Sequence, residues 1–290
     1  MIDTHCHLNF KAFRKNLPDV IDGAKKAGVN QIIVPGTDLE TSKKAVEIAQ
    51  IYEGVWAAVG IHPHHAYEII NDKSEALNSK FQTNSNYQNS NVQNKKVSDL
   101  EELLSRPKVV AVGEIGLDKH QYQKTKYENY RIDSELVELQ KELLGFQIKL
   151  AIKYKKAVIL HSRESTTDIL DFLTHNSSFL TPNKIVFHCC EPDDRLLDFA
   201  IKNNIYIGVD GDVTYWEDKK EFVKKIPLEL LVLETDSPYL LPEPLKSEKA
   251  YPNEPKNLPL IAEFIANLRN ISINQIIEAT VNNSKKLFSI

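Results

Sequence analysis

Residues 1–8 read Met-Ile-Asp-Thr-His-Cys-His-Leu, a short apolar start that breaks into two histidines one residue apart. In an extended strand, residues two apart point to the same side, so His5 and His7 share the barrel-facing side and Cys6 faces the helices. The same break recurs along the chain. AAVGIHP carries His62, VVAVGEIGLD carries Glu114, AVILHSR carries His161, IVFHCC carries His188 and LLVLETD carries Asp236. Each is an apolar, largely β-branched run that ends at a residue able to bind metal or move a proton. Groups gathered in this way at the carboxyl ends of strands require a parallel sheet, closed or doubly wound.

The runs define eight strand candidates: Met1 to Thr4, Gln31 to Pro35, Val55 to Gly60, Val109 to Gly113, Ala157 to Leu160, Lys184 to Phe187, Ile205 to Val209 and Leu230 to Glu234. Between them, apolar residues return every three or four positions over Leu39 to Tyr52, Ile132 to Tyr154 and Pro192 to Asn203, the period of an amphipathic helix. Eight such units and a closing amphipathic helix from Pro259 onward predict an α/β protein, a (β/α)8 TIM barrel forming one domain over residues 1–290.

Composition fits this reading and excludes others. With 42% hydrophobic, 8% aromatic and 26% charged residues, the chain has the make-up of an ordinary globular protein. A net charge of -4, with only six arginines among 36 basic residues, is not that of a strongly basic nucleic-acid binder, although a local patch can still hold phosphate. Three cysteines, two of them adjacent, make no disulfide framework and point to a reducing, cytoplasmic setting. No run approaches a membrane span, and Met1 leads straight into a strand without a targeting segment.

From Asn78 to Val97, thirteen of twenty residues are Asn, Ser, Gln or Thr. Such a stretch buries too little apolar surface to offset its ordering entropy, which predicts a disordered insertion ahead of the fourth strand. The rival reading is a lid that grasps substrate.

On residue chemistry alone the chain reads as a metal-dependent hydrolase. Imidazole and carboxylate suit Zn, Mn, Fe or Co, and Asp236 lies on the strand that adjoins the first in a closed barrel. Glu114 is placed to bridge to a second ion held by His161 and His188, a pair that clamps the attacking and leaving oxygens of a displacement. His62, in GIHPHH, is read as a substrate contact, and His65, His120 and His175 as surface residues. Arg163 follows His161 by two residues and leaves the strand on the same face, so its planar fork is the phosphate candidate; the rival is an ion pair with Glu164. Strand alternation turns Cys189 outward and Cys190 inward beside His188.

The segments IDTHCHL, GIHPH, VGEIGLD, LHSR, FHC, LETDSPYL and NEP, in this order across nearly the whole chain, resemble the TatD-type metal-dependent deoxyribonucleases of the amidohydrolase superfamily. The resemblance implies a (β/α)8 barrel and a centre of two divalent ions (Mg, Mn or Zn) held by His5, His7, Glu114, His161, His188 and Asp236. It also implies hydrolysis of phosphodiester bonds in nucleic acid, DNA foremost, from a 3′ end, with Asp236 orienting or deprotonating the attacking water. Glu114 and Asp236 are thus the catalytic candidates, and no obligate protein partner or membrane is called for. Two positions depart from the family pattern. His188 is followed by Cys189, Cys190, Glu191 and Pro192 in place of Cys-Phe-Ser-Gly, and Pro252 stands where the family carries an arginine ahead of Asn253, Glu254 and Pro255. Two rivals to nuclease chemistry remain on residue grounds. One is hydrolysis of a carbon ester or amide, such as an aminoacyl-RNA ester, on the same scaffold; the other is a non-catalytic metal-binding protein.

Overall fold

A computed structural model of the chain describes residues 1–67, 99–128 and 130–290; the polar insertion expected at 78–97 lies outside the described residues. Eight strands run in parallel in sequential order: β1 (Ile2–Asp3), β2 (Gln31–Pro35), β3 (Val55–Val59), β4 (Val109–Asp118), β5 (Ala157–Arg163), β6 (Ile185–Phe187), β7 (Tyr206–Val209) and β8 (Leu231–Leu233). Helices lie between them, including Leu39–Ile51, Ser134–Tyr154 and Asp194–Asn203, and a helical stretch at 99–104 precedes β4. The architecture is a (β/α)8 TIM barrel.

Closure depends on backbone beyond the regular strands. Thr4 N–H donates to Leu233 O (3.0 Å), Asp236 N–H to His5 O (2.9 Å) and His7 N–H to Ser237 O (2.8 Å), so residues 4–7 are zipped to 233–237 although β1 and β8 are only two and three residues long. Side chains reinforce the seam. Thr235 donates through its amide (3.0 Å) and hydroxyl (2.7 Å) to the buried Asp3 carboxylate, and the Asn253 amide donates to Thr235 O (3.0 Å). The asparagine of the Asn-Glu-Pro segment is therefore a structural tie across the seam.

Alternation along the strands separates two apolar layers. Ile33, Ala58, Ala111, Ile159, Val186, Tyr206 and Val232 cluster on one side, where Leu287 and Phe288 of the last helix join them. Their neighbours Ile32, Val34, Ala57, Val59, Val158, Leu160, Phe187, Ile207 and Leu233 pack with the helical layer. Period two therefore places residues 161, 188 and 234 on the inner side, in line with Ile159, Val186 and Val232. The expected closing helix is in fact two, Leu258–Arg269 and Ile273–Phe288, divided at Asn270, whose left-handed backbone (φ 53°) stops the first.

β4 runs five residues past its expected end, and its register with β5 shifts between Val112 and Ile115. Gly116 explains the extension: at φ 152°, a Cβ there would lie 1.9 Å from His161 O, so only glycine lets the two backbones approach this closely. The bulge carries Glu114.

Candidate metal centre

At the carboxyl end of the barrel, His5, His7, His62, Glu114, His161, His188 and Asp236 converge. The Nε2 atoms of His5 and His7 are 3.2 Å apart, and each lies 3.5–3.7 Å from Glu114 Oε2 and Asp236 Oδ1. The other Glu114 oxygen, Oε1, faces His161 Nδ1 at 2.7 Å, His188 Nε2 at 2.9 Å and His62 Nε2 at 3.4 Å. One carboxylate thus divides two groups of imidazoles. The rings also pack face to face: His5 stacks on His188 with centroids 3.8 Å apart.

This donor set suits cations. The Nε2 atoms of His5 and His7 converge on the Glu114 and Asp236 carboxylates in a buried site, an imidazole and carboxylate set that divalent cations favour, and among the described residues the Nδ1 atoms of both rings have no hydrogen-bond partner. Among the described residues, three overlapping triads at this end of the barrel are compact enough to hold an ion: His5–His7–Glu114, His62–Glu114–His161 and His5–His188–Glu234. Burial alone would raise the pKa of Glu114, but the charges of His188 and His62 and hydrogen bonds from His161 and His188 hold it well below the usual carboxylate range. In His5, burial together with the neighbouring His188 pushes the imidazole pKa down, favouring the neutral form that binds metal.

Two acids escaped the reading of the sequence. Glu234 is fully buried, faces His188 Nδ1 at 3.5 Å and accepts the Cys189 N–H. Its room comes from Gly208, where a Cβ would lie 2.5 Å from the Glu234 carboxylate. Asp118 lies 3.2 Å from His161 Nε2 and accepts from the Tyr122 hydroxyl at 2.7 Å, a carboxylate–histidine contact of the kind that orients a metal-binding ring. The signal for both was spacing: Glu234 is two residues before Asp236, and Asp118 four after Glu114.

Arg163 makes no ion pair with Glu164. Its Nη1 donates to the Tyr122 hydroxyl (3.2 Å) and its guanidinium lies over the Tyr122 ring at 5.4 Å, while Glu164 contacts His120 and its backbone N–H donates to Glu191 (3.2 Å). Asp118, Tyr122 and Arg163 therefore form a chain leading outward from His161. His62 joins the inner cluster rather than its rim, 3.4 Å from Glu114.

Several expectations need correction. His65 is half-buried and bonds through Nδ1 to the Tyr127 hydroxyl (2.6 Å), because the loop carrying it packs on aromatic residues 122–130. His120 is likewise half-buried against Tyr122, whereas His175 is exposed at a helix end. The two cysteines exchange places: Cys190 is buried in the helix-side core, and Cys189 turns toward Asp210 and Asp212. Alternation fails there because β6 ends at Phe187 and Cys189 adopts a left-handed backbone (φ 45°). The Cys189–Asp210–Asp212 group already has a cation, since the buried Lys219 ammonium lies 3.2 Å from Asp210 and 2.6 Å from Asp212.

A barrel with histidines, a glutamate between two groups of them and further acids at its carboxyl ends invites comparison with known hydrolases. The family profile described as TatD related DNase matches residues 2–289. The chain belongs to the TatD-related DNase family. Among its relatives, the 3′-5′ ssDNA/RNA exonuclease TatD of Edwardsiella piscicida is 33% identical, with all of both chains covered. The uncharacterized metal-dependent hydrolase YabD of Bacillus subtilis is 31% identical over 100% of this chain and 99% of its own. Among solved structures, YjjV, a TatD homologue from Escherichia coli K12, superposes with a TM-score of 0.79 at 29% identity, covering 100% of this chain and 98% of its own. This TatD-family chain is a hydrolytic enzyme whose relatives are described as metal-dependent. Among the described residues, no helix is long and apolar enough to cross a membrane.

Proposed function

We propose that the protein hydrolyses phosphodiester bonds of nucleic acid, DNA foremost and from a 3′ end, with two divalent ions of Mg, Mn or Zn. The observation that carries the reading is the split of Glu114: Oε2 faces His5 and His7 while Oε1 faces His161, His188 and His62. His5, His7 and Asp236 would hold one ion and His161 and His188 the other, with Glu114 between them. When bound, the ions supply Lewis-acid stabilisation of phosphoryl charge and make water more acidic.

The chain's own groups do the rest. Asp236 is the least buried carboxylate of the inner cluster and the acid best placed to orient the attacking water and accept its proton. Arg163, steadied by Tyr122, presents its remaining N–H groups to a phosphate at the mouth. Asp118 and Glu234 fix the rings of His161 and His188. Two relatives named as a ssDNA/RNA exonuclease and a deoxyribonuclease support a nucleic-acid substrate. The free thiols of Cys6, Cys189 and Cys190 suit a reducing, cytoplasmic compartment.

The test is hydrolysis of end-labelled single-stranded DNA and RNA by chelator-stripped protein, with and without added Mg²⁺, Mn²⁺ or Zn²⁺, alongside metal analysis. Activity that appears only with metal, at up to two ions per chain, is expected. Undiminished turnover in verified metal-free protein overturns the metal mechanism, and an aminoacyl-RNA cleaved in preference to either nucleic acid overturns the substrate.

A further inference from the structure

The mouth of the centre is not lined by charge alone. On the β1–β8 side the Phe10 ring lies flat against the His7 imidazole, centroids 4.2 Å apart and planes 14° apart. Tyr239 meets Phe10 edge to face at 6.4 Å, and its backbone N–H is tied to Asp236 O (2.9 Å), only three residues from the proposed base. Yet half of Tyr239 and 63% of Tyr251 remain exposed. Tyr239, continuous through Phe10 with a ring stacked on His7, thus offers a flat apolar face with a polar edge beside the centre.

The opposite side of the mouth is different. There, Arg163, Tyr122 and Asp118 are bonded to one another and offer a cation. A phosphodiester lying across the centre has a charged group at the phosphorus and a flat apolar base one sugar away. The two walls match these two parts.

We infer that Phe10 and Tyr239 form a stacking wall for a nucleobase next to the scissile phosphate, with Tyr239 as its exposed face. The inference rests on the nucleic-acid reading and adds to it the residue that grips the base. Stacking on an aromatic side chain tolerates any base, because every base has a π-face, so the wall confers grip without sequence preference. It also discriminates between strands. A base in a duplex is already stacked and paired, and must give up that stacking before it can lie on Tyr239, whereas the end of a single strand is free to do so.

The experiment compares wild type, Tyr239→Ala, Tyr239→Leu and Tyr239→Phe, all metal-loaded, on two end-labelled single-stranded oligonucleotides that differ only in carrying ordinary or abasic nucleotides at the 3′ end. The expected result is a fall in kcat/KM of roughly tenfold for Tyr239→Ala on the ordinary oligonucleotide, carried mainly by KM. Tyr239→Leu, which keeps apolar bulk without a flat ring and covers the case of an alanine variant that fails to fold, falls similarly. Tyr239→Phe stays near wild type. On the abasic oligonucleotide all four proteins converge. Equal losses on both oligonucleotides, or no loss on either, overturn the stacking wall while leaving the nuclease reading intact. Failure of wild type itself to cleave any nucleic acid removes both, and that failure is visible before any variant is made.

Discussion

The two halves of the centre are held by different means. On one side Glu114, Asp118, His161 and Arg163 sit within β4 and β5, where residues 115–118 pair with 160–163 in regular register. On the other, His5, His7 and Asp236 stand outside the regular strands, on backbone zipped by three hydrogen bonds and side-chain ties from Thr235 and Asn253. Asp236 itself has a left-handed backbone (φ 48°), a region that aspartate enters more readily than most residues. A ladder fixes its side chains by repetition, so one lost bond is shared among neighbours. The seam fixes them by individual contacts, and each contact is specific to the residue that makes it. Substitutions that support the centre should therefore act locally on the ladder side and more widely on the seam.

The largest effect is expected where the seam meets the chemistry. Asp236→Asn keeps one oxygen donor but cannot accept a proton, so turnover should fall about a hundredfold or more while at least one ion is retained. Wild-type turnover at saturating metal would make Asp236 a ligand only. On the ladder side, Asp118→Asn should weaken metal binding by roughly 10- to 100-fold, as does loss of the partner behind a metal-bound histidine, with little change in melting temperature. Titration with Mn²⁺ and thermal denaturation measure the two. A large stability loss with unchanged metal affinity would contradict the contrast between the halves.

How far the sequence reveals this centre follows the same division. Wherever a strand runs straight into its final residue, alternation suffices: Ile159 leads to His161 and Val186 to His188. It fails where the backbone turns. β6 ends at Phe187 and Cys189 takes a left-handed backbone, reversing the two cysteines, and β4 continues past Gly113 through a register shift at residues 112–115 that Gly116 accommodates. Glu234 and Asp118 obey period two, but Glu234 ends its run two residues ahead of Asp236, which took the ligand role in the reading, and Asp118 lies beyond two glycines, Gly113 and Gly116. The tie made by Asn253 has no local signal at all, because its partner Thr235 lies on another segment.

Two smaller effects sharpen the comparison. Asn253→Ala removes the donor from the buried Thr235 carbonyl and should cost about 1 to 3 kcal/mol of stability, with a parallel fall in turnover as the Asp236 segment loosens. Denaturant titration and steady-state assays check both; lost stability with full turnover would show that Asp236 is held without its help. Arg163→Ala should mainly raise KM for nucleic acid, by roughly tenfold, leaving turnover nearly unchanged, as expected for a contact made equally in ground and transition states. A collapse of turnover at constant KM would make Arg163 a transition-state group.

The seam also sets a timetable. His5 precedes Asp236 by 231 residues and the tying Asn253 by 248, so synthesis separates the two sides of the seam. At about 5 to 20 residues per second, β1 gains β2 early but waits more than roughly ten seconds for β8. Through that interval its two histidines belong to no finished site, and the nascent chain carries an open edge beside them. The seam that holds His5 and His7 beside Asp236 therefore cannot close until residues 233–237 and Asn253 have been added.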